Sequence, residues 1–408
     1  MAHRLVCRAD VAEPVQPFRA PSDEEHAKEI PISLIRGGAF YRVEEKVGLI
    51  HPRTWDLERR IPLAVAIAWV PLAVLAATHG GVDDLGALLV DYRVYSRVFI
   101  AVPLLLIAQV TMETRFREMA QHFLDANIIR VTDLSRFREI MQRTRRLRDR
   151  KLPELLIILA VYVQVGYLVE SGRIASAAWA VDAGTGSMTP AGFFAMLVTQ
   201  ALFLVLISIA LWKWLIWVDV LRQISRMHLQ LDATNGDLTG GLGFLSEIPR
   251  AFVPVILGVS AVAGANWRAQ ILSGQLTFEF LKWPAAALAL ILLMVFFLPL
   301  ALFTPALLRE KRLSTRVYGS MQHLVSLQFR RKWTPRHRNV AELLGAPDVS
   351  SLADLSASFK NVEEMVTFPF RKSTVIVFLL ALVLPMIPVI TTNIPLKAIM
   401  KGLFDAIH

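Results

Sequence analysis

Long apolar runs separated by charged, turn-rich links set the pattern of this chain. Seven runs are candidates for membrane helices: about 61–78, 98–112, 152–169, 191–211, 252–269, 284–308 and 373–390. A hydrocarbon layer of ~30 Å takes about 20 apolar helical residues to cross. The 98–112 run is short for that and would draw Tyr95 or Thr111 into its ends. The last run contains Pro385 and Pro388, which either kink a full span or make it re-entrant; its length favours a full span. The expected fold class is all-α, a polytopic transmembrane helical bundle with two amphipathic-helix insertions.

The polar segments carry their own periodicity. Residues 1–58 form a polar arm in which Ser22-Asp23-Glu24-Glu25 has a capping-box pattern. In residues 113–151, Phe116, Met119, Phe123 and Leu124 recur at helical spacing, as do Phe137, Ile140, Met141 and Leu147. They predict two amphipathic helices, the second capped by Thr132. In residues 309–372, Ser351 with Asp354 predicts the start of a helix whose Leu352, Leu355, Phe359, Val362 and Val366 share a face. The domain organisation is an arm, 1–58, and a membrane domain, 59–408, with insertions at 113–151 and 309–372.

Charge orients the bundle. Residues 113–151 hold eleven basic against six acidic side chains, and residues 309–372 twelve against six. The links after the first and third spans each sum to −1, and that after the fifth to about +1. Basic links gather on the cytoplasmic side. The N-terminus and both insertions are therefore expected in the cytoplasm of a bacterial inner membrane, with seven spans placing the C-terminus outside. The same bias accounts for the net charge of +10 without nucleic acid. One cysteine, Cys7, rules out an intrachain disulfide or a thiolate cluster. Trp212, Trp214 and Trp217 with Lys213 predict an interfacial anchor at the end of the fourth span.

Candidate chemistry is sparse. No ionisable residue falls in the middle of an expected span, which argues against a proton-coupled carrier. The intramembrane polar residues Gln109, Gln164, Gln200 and Asn266 fit interhelical hydrogen bonds before they fit a substrate path. The strongest candidate site is the loop 232–245, with oxygens from Asp232, Thr234, Asn235 and Asp237 and backbone freedom from Gly240, Gly241 and Gly243. Its spacing fits neither a calcium loop nor a phosphate-cradling loop, and a tight re-entry turn explains it well. No zinc-protease, redox-dithiol or nucleophile-elbow motif supports an enzyme, and no cofactor is implied.

The stretch with Thr234, Asp237 and Gly240 to Leu245, following a tryptophan-rich span, resembles a family of bacterial multi-pass inner-membrane proteins that carry Thr-His-Pro-Asp-x-x-Gly-Gly-Leu-Gly-Phe-Leu there. Asn235 and Gly236 stand in place of the His-Pro. Ser351-Leu-Ala-Asp-Leu and Pro369-Phe370 extend the resemblance. It implies membership and no activity. The leading expectation is a transport or channel-like component, whose mark would be a path lined by Gln109, Gln164, Gln200 or Asn266. The alternative is a membrane scaffold or sensor whose inserts bind a partner or anionic lipid. A third is a membrane enzyme, in which Asp232 and Asp237 would converge with basic residues. The expected partners are the bilayer, anionic lipid at the basic juxtamembrane segments and a second copy of the chain.

Overall fold

The structure is a computed structural model, and it describes residues 57–171, 177, 179–182, 184–334 and 347–391. The capping pattern at Ser22–Glu25, Cys7 and the C-terminal tail lie outside the described residues. The described chain is helical, and seven of its helices are long and apolar enough to cross a membrane. They are α1 (Leu57–Val90), α2 (Tyr92–Asp125), α4 (Lys151–Glu170), α5 (Pro190–Ile224), α6 (Val253–Leu272), α7 (Phe278–Phe297, continuing through a 3₁₀ turn into α8) and α10 (Lys372–Val389). The protein is an integral membrane protein of the polytopic, all-α type. Helices α3 (Leu134–Arg148), α8 (Thr304–Trp333) and α9 (Pro347–Glu364) complete it.

Several helices overrun the apolar runs that predict them. Helix α1 continues to Val90 with a kink at Gly81, whose φ of +66° suits a residue without Cβ. Helix α2 passes from the apolar run into the first insert without a break, so Phe116, Met119 and Phe123 extend a span and are all buried. Helix α8 is 30 residues long and carries the second insert ~45 Å from the 3₁₀ turn Leu298–Phe303, at 1.5 Å per residue. The proline-rich turns, at Pro299 and Pro385, are where a backbone N–H is missing and the helix tightens to 3₁₀.

Three local expectations need correction. Thr132 does not cap α3: it sits inside a 3₁₀ turn, Val131–Asp133, and no side chain caps the helix. Ser351 and Asp354 do not start α9, which is already helical at Pro347; Ser350 Oγ instead lies 3.4 Å from Asp354 Oδ2 within the helix. Val366 falls beyond the end of α9 and is exposed, although Leu352, Leu355 and Phe359 are half-buried and Val362 is buried on one face as expected. Local spacing sets a helical face, but neighbouring segments set where the helix begins and ends.

Trp217 is also not at an interface. It is fully buried, stacked 5.8 Å from Phe116 and tilted against Phe252 at 5.9 Å. Phe252 continues to Phe296 at 4.6 Å, and Phe296 to Phe378 at 5.8 Å. These rings tie α2, α5, the turn before α6, α7 and α10 into one aromatic core. Trp214 also turns inward, its ring edge-on to Phe296 at 6.4 Å with the indole N–H buried, and only Trp212 remains where an interfacial role suits it.

The links fall on two faces. On one, Asp91 accepts from Arg93 and from Trp179 Nε1 at 3.1 Å, and the Arg268 guanidinium lies 4.0 Å from the centre of the Tyr92 ring. These contacts join the links after the first, third and fifth spans. On the other, the two inserts and the loop after α5 meet. There α8 and α9 form an antiparallel pair: Gln322 Nε2 donates to Ser356 Oγ, and Lys311 Nζ donates to the carbonyls of Glu363 and Met365, all at 2.8 Å. Lys332 and the Trp333 indole N–H both donate to Asp348, holding its carboxyl below the usual aspartate range. Leu313, Val317, Met321 and Leu324 form an exposed row along α8.

Candidate functional site

The loop that follows α5 folds on itself and then grips both inserts. Asp232 Oδ1 accepts from the Thr234 N–H at 2.9 Å and its hydroxyl at 2.7 Å. Asn235 Oδ1 accepts from the Asp237 N–H at 3.1 Å. Asp237 closes the loop. Its Oδ1 accepts from the N–H of Thr239 at 2.8 Å and of Gly241 at 3.1 Å, and its Oδ2 from the Thr239 hydroxyl and the Gly243 N–H, both at 2.8 Å. Short polar side chains that bond the backbone two residues on are how Asp and Asn make turns.

The glycines follow from that packing. Gly240 has φ +64°, and a Cβ there would lie 3.0 Å from the Met365 methyl. A Cβ on Gly243 would lie 3.0 Å from Asp237 Oδ2, the oxygen its own N–H must approach. A carboxylate has about four lone-pair positions, and the four donors above use those of Asp237. Among the described residues, no three His, Cys, Asp or Glu side chains gather as metal ligands.

Outward, the loop's backbone holds the inserts. The Gln230 N–H donates to the Ile128 carbonyl at 2.8 Å, beside an antiparallel bridge between Ile129 and Leu229. The Val366 N–H donates to the Leu238 carbonyl at 2.7 Å, and Asn361 Nδ2 to the Thr234 carbonyl at 3.0 Å. The residues singled out in this loop are thus brought together, as a clasp between the inserts. Among the described residues, the carboxylates of Asp232 and Asp237 bond within their own loop and make no ion pair.

Among the described residues, no hydrogen bond joins the intramembrane polar residues to one another. Gln109 is buried, and its Oε1 accepts from Arg60 Nη2 at 3.1 Å, an interhelical bond between α1 and α2. Gln164 is exposed on the outer face of α4. Gln200 and Asn266 are half-buried on α5 and α6. Gln200 ends a π-helical turn, Ala195–Gln200, and a second such turn, Ser96–Ala101, lies in α2.

A cleft of about 380 Å³, marked by no sequence motif, lies between α3 and the end of α5. Arg136, Glu139, Ile140 and Arg143 line one side; Asp219, Arg222, Gln223 and Arg226 line the other. Each set has the spacing i, i+3, i+4, i+7, a single helical stripe, and that periodicity was the available signal. Which two stripes would face each other was not available from it. A scan against protein-family models finds no match for the chain, and neither the curated proteins nor the solved structures searched include a similar one.

Proposed function

We propose that the protein is a membrane-embedded scaffold or sensor working through the assembly of its two inserts, which we assign to the cytoplasmic face of a bacterial inner membrane. The observation that carries this reading is the clasp at 230–242, which bonds Ile128 on one side and Asn361 and Val366 on the other. An element that joins two polar inserts through backbone hydrogen bonds makes them one surface. The channel-like reading draws little from the intramembrane polar side chains: Gln109 is bonded to Arg60, and Gln164 faces outward. The enzyme reading loses support because Asp232 and Asp237 bond only their own loop. The resemblance carried by Thr234, Asp237 and Gly240 to Leu245 leads us to group the chain with that inner-membrane family.

Transport is kept as the second reading because the π-helical turns of α2 and α5 lie in spans, and such turns recur at functional sites. The test is ion flux through the purified protein in liposomes, beside a Gly241→Val, Asp237→Ala variant. A scaffold gives no flux from folded, inserted wild type, and in the variant faster amide exchange at 128–130 and 361–366 together. Flux in the wild type that the variant abolishes would restore the transport reading.

A further inference from the structure

The cleft between α3 and α5 has the chemistry of an anion site. Four guanidinium groups, from Arg136, Arg143, Arg222 and Arg226, line it against two carboxylates. One of those carboxylates is already engaged: Asp219 Oδ2 accepts from Gln223 Nε2 at 2.7 Å. Among the described residues, none of the four guanidinium groups makes a hydrogen bond or an ion pair with Glu139, Asp219 or any other group. All four side chains are exposed, and Ile140 forms the buried floor. Guanidinium groups held around one space repel each other unless an anion sits among them. Their planar forks match phosphate oxygens two bonds at a time.

We propose that this cleft binds a phosphate group carried on a small hydroxylated moiety. The volume exceeds that of a bare phosphate and lies at the low end of ordinary ligand pockets. The Glu139 carboxylate supplies an acceptor for a hydroxyl, and the arginines supply donors for the phosphate. Height above the membrane suits the same ligand. Arg222 is nine residues past Lys213, or ~13 Å along the helix axis at 1.5 Å per residue. With Trp212 at the edge of the hydrocarbon, and ~5–8 Å of headgroup layer on each side, the near end of the cleft, Asp219 at ~9 Å, lies just outside the headgroups and within reach of the long arginine side chains. A lipid phosphate and a phosphate ester in solution both reach that height. The site is independent of the scaffold reading, since a transporter could carry it as well.

The experiment uses the full chain in a neutral detergent and measures binding by thermal shift and native mass spectrometry. The probes are dioctanoyl phosphatidylglycerol, dioctanoyl phosphatidylcholine, glycerol 3-phosphate and inorganic phosphate. The variants are Arg136→Gln with Arg222→Gln, Arg143→Gln with Arg226→Gln, and the control Arg316→Gln on α8. The expected result is that phosphatidylglycerol binds in preference to phosphatidylcholine, each double variant weakens it about ten-fold or more, and the control changes it less than two-fold. Binding of glycerol 3-phosphate that competes with the lipid assigns the site to soluble esters as well; binding of the lipid alone assigns it to the headgroup. Unchanged affinity in both double variants, equal binding of phosphatidylcholine, or no binding of any phosphate probe overturns the proposal. Each double variant removes one arginine from each wall and leaves the other two in place, so misfolding of one leaves the other to decide.

Discussion

Asp237 uses both carboxylate oxygens on its own loop, and that limits what a mutation there can mean. Replacing it with Ala leaves three backbone N–H groups and one hydroxyl without their acceptor in a partly buried loop. The expected cost is about 2–3 kcal/mol, since an unsatisfied buried donor costs about 1–3 kcal/mol and this loop is only partly enclosed. Asp237→Asn, which keeps one acceptor oxygen, falls between the two in a thermal unfolding experiment in detergent. Gly240→Ala is expected to cost about 1–2 kcal/mol, through its left-handed backbone and its approach to Met365. Gly236→Ala, with nothing within 4 Å of the added Cβ, changes the melting point little. The glycines and carboxylates of this loop were legible in the sequence. Their roles were not, because the Asp237 bonds depend on a fold that brings residues 239, 241 and 243 around one side chain.

At the scale of elements, the pairing of α8 with α9 is the part most open to solution conditions. Asp348 is held below the usual aspartate range first by the Lys332 hydrogen bond and then by the Trp333 indole. A carboxyl with a depressed folded-state pKa contributes stability above its unfolded pKa of about 3.9, and loses it as pH falls through the folded value. Protection against amide exchange across residues 347–364, taken relative to the intrinsic rate at each pH, is therefore expected to fall below about pH 4 in the wild type. In Asp348→Asn the protection should be lower already at neutral pH and insensitive to that acid step. A wild type with the same protection at pH 6 and pH 3 would remove Asp348 from the pairing. The periodicity of Leu352, Leu355, Phe359 and Val362 made the buried face of α9 readable. The start of the helix was not, because the capping pattern at Ser351 lies inside a helix whose first described turn already includes Pro347.

For the whole molecule, sidedness is the sharpest expectation. A membrane-impermeant maleimide should label Cys7 in inverted vesicles and spare it in intact cells. In a Cys7→Ser background, Ser320→Cys on α8 should follow the same pattern. Ser187→Cys, on the opposite face, should show the reverse. Labelling of Ser320→Cys and Ser187→Cys from one side would break the two-faced arrangement, in which the links after even-numbered spans meet at the clasp and those after odd-numbered spans meet around Asp91.

By itself the sequence determined that the chain is an all-helical membrane protein with about seven spans. The reason is that hydrocarbon solvates no backbone polar group, so an apolar run of that length has one stable form. It also determined the apolar faces of the insert helices, since helical periodicity is local. Tertiary structure decided the rest. It buried Trp217 against Phe116 and Phe252 where composition pointed to an interface. It used the polar loop to join segments more than 100 residues apart. It set two arginine-bearing stripes face to face across one cleft. Each of these depends on which distant surfaces meet, and only the assembled bundle fixes that.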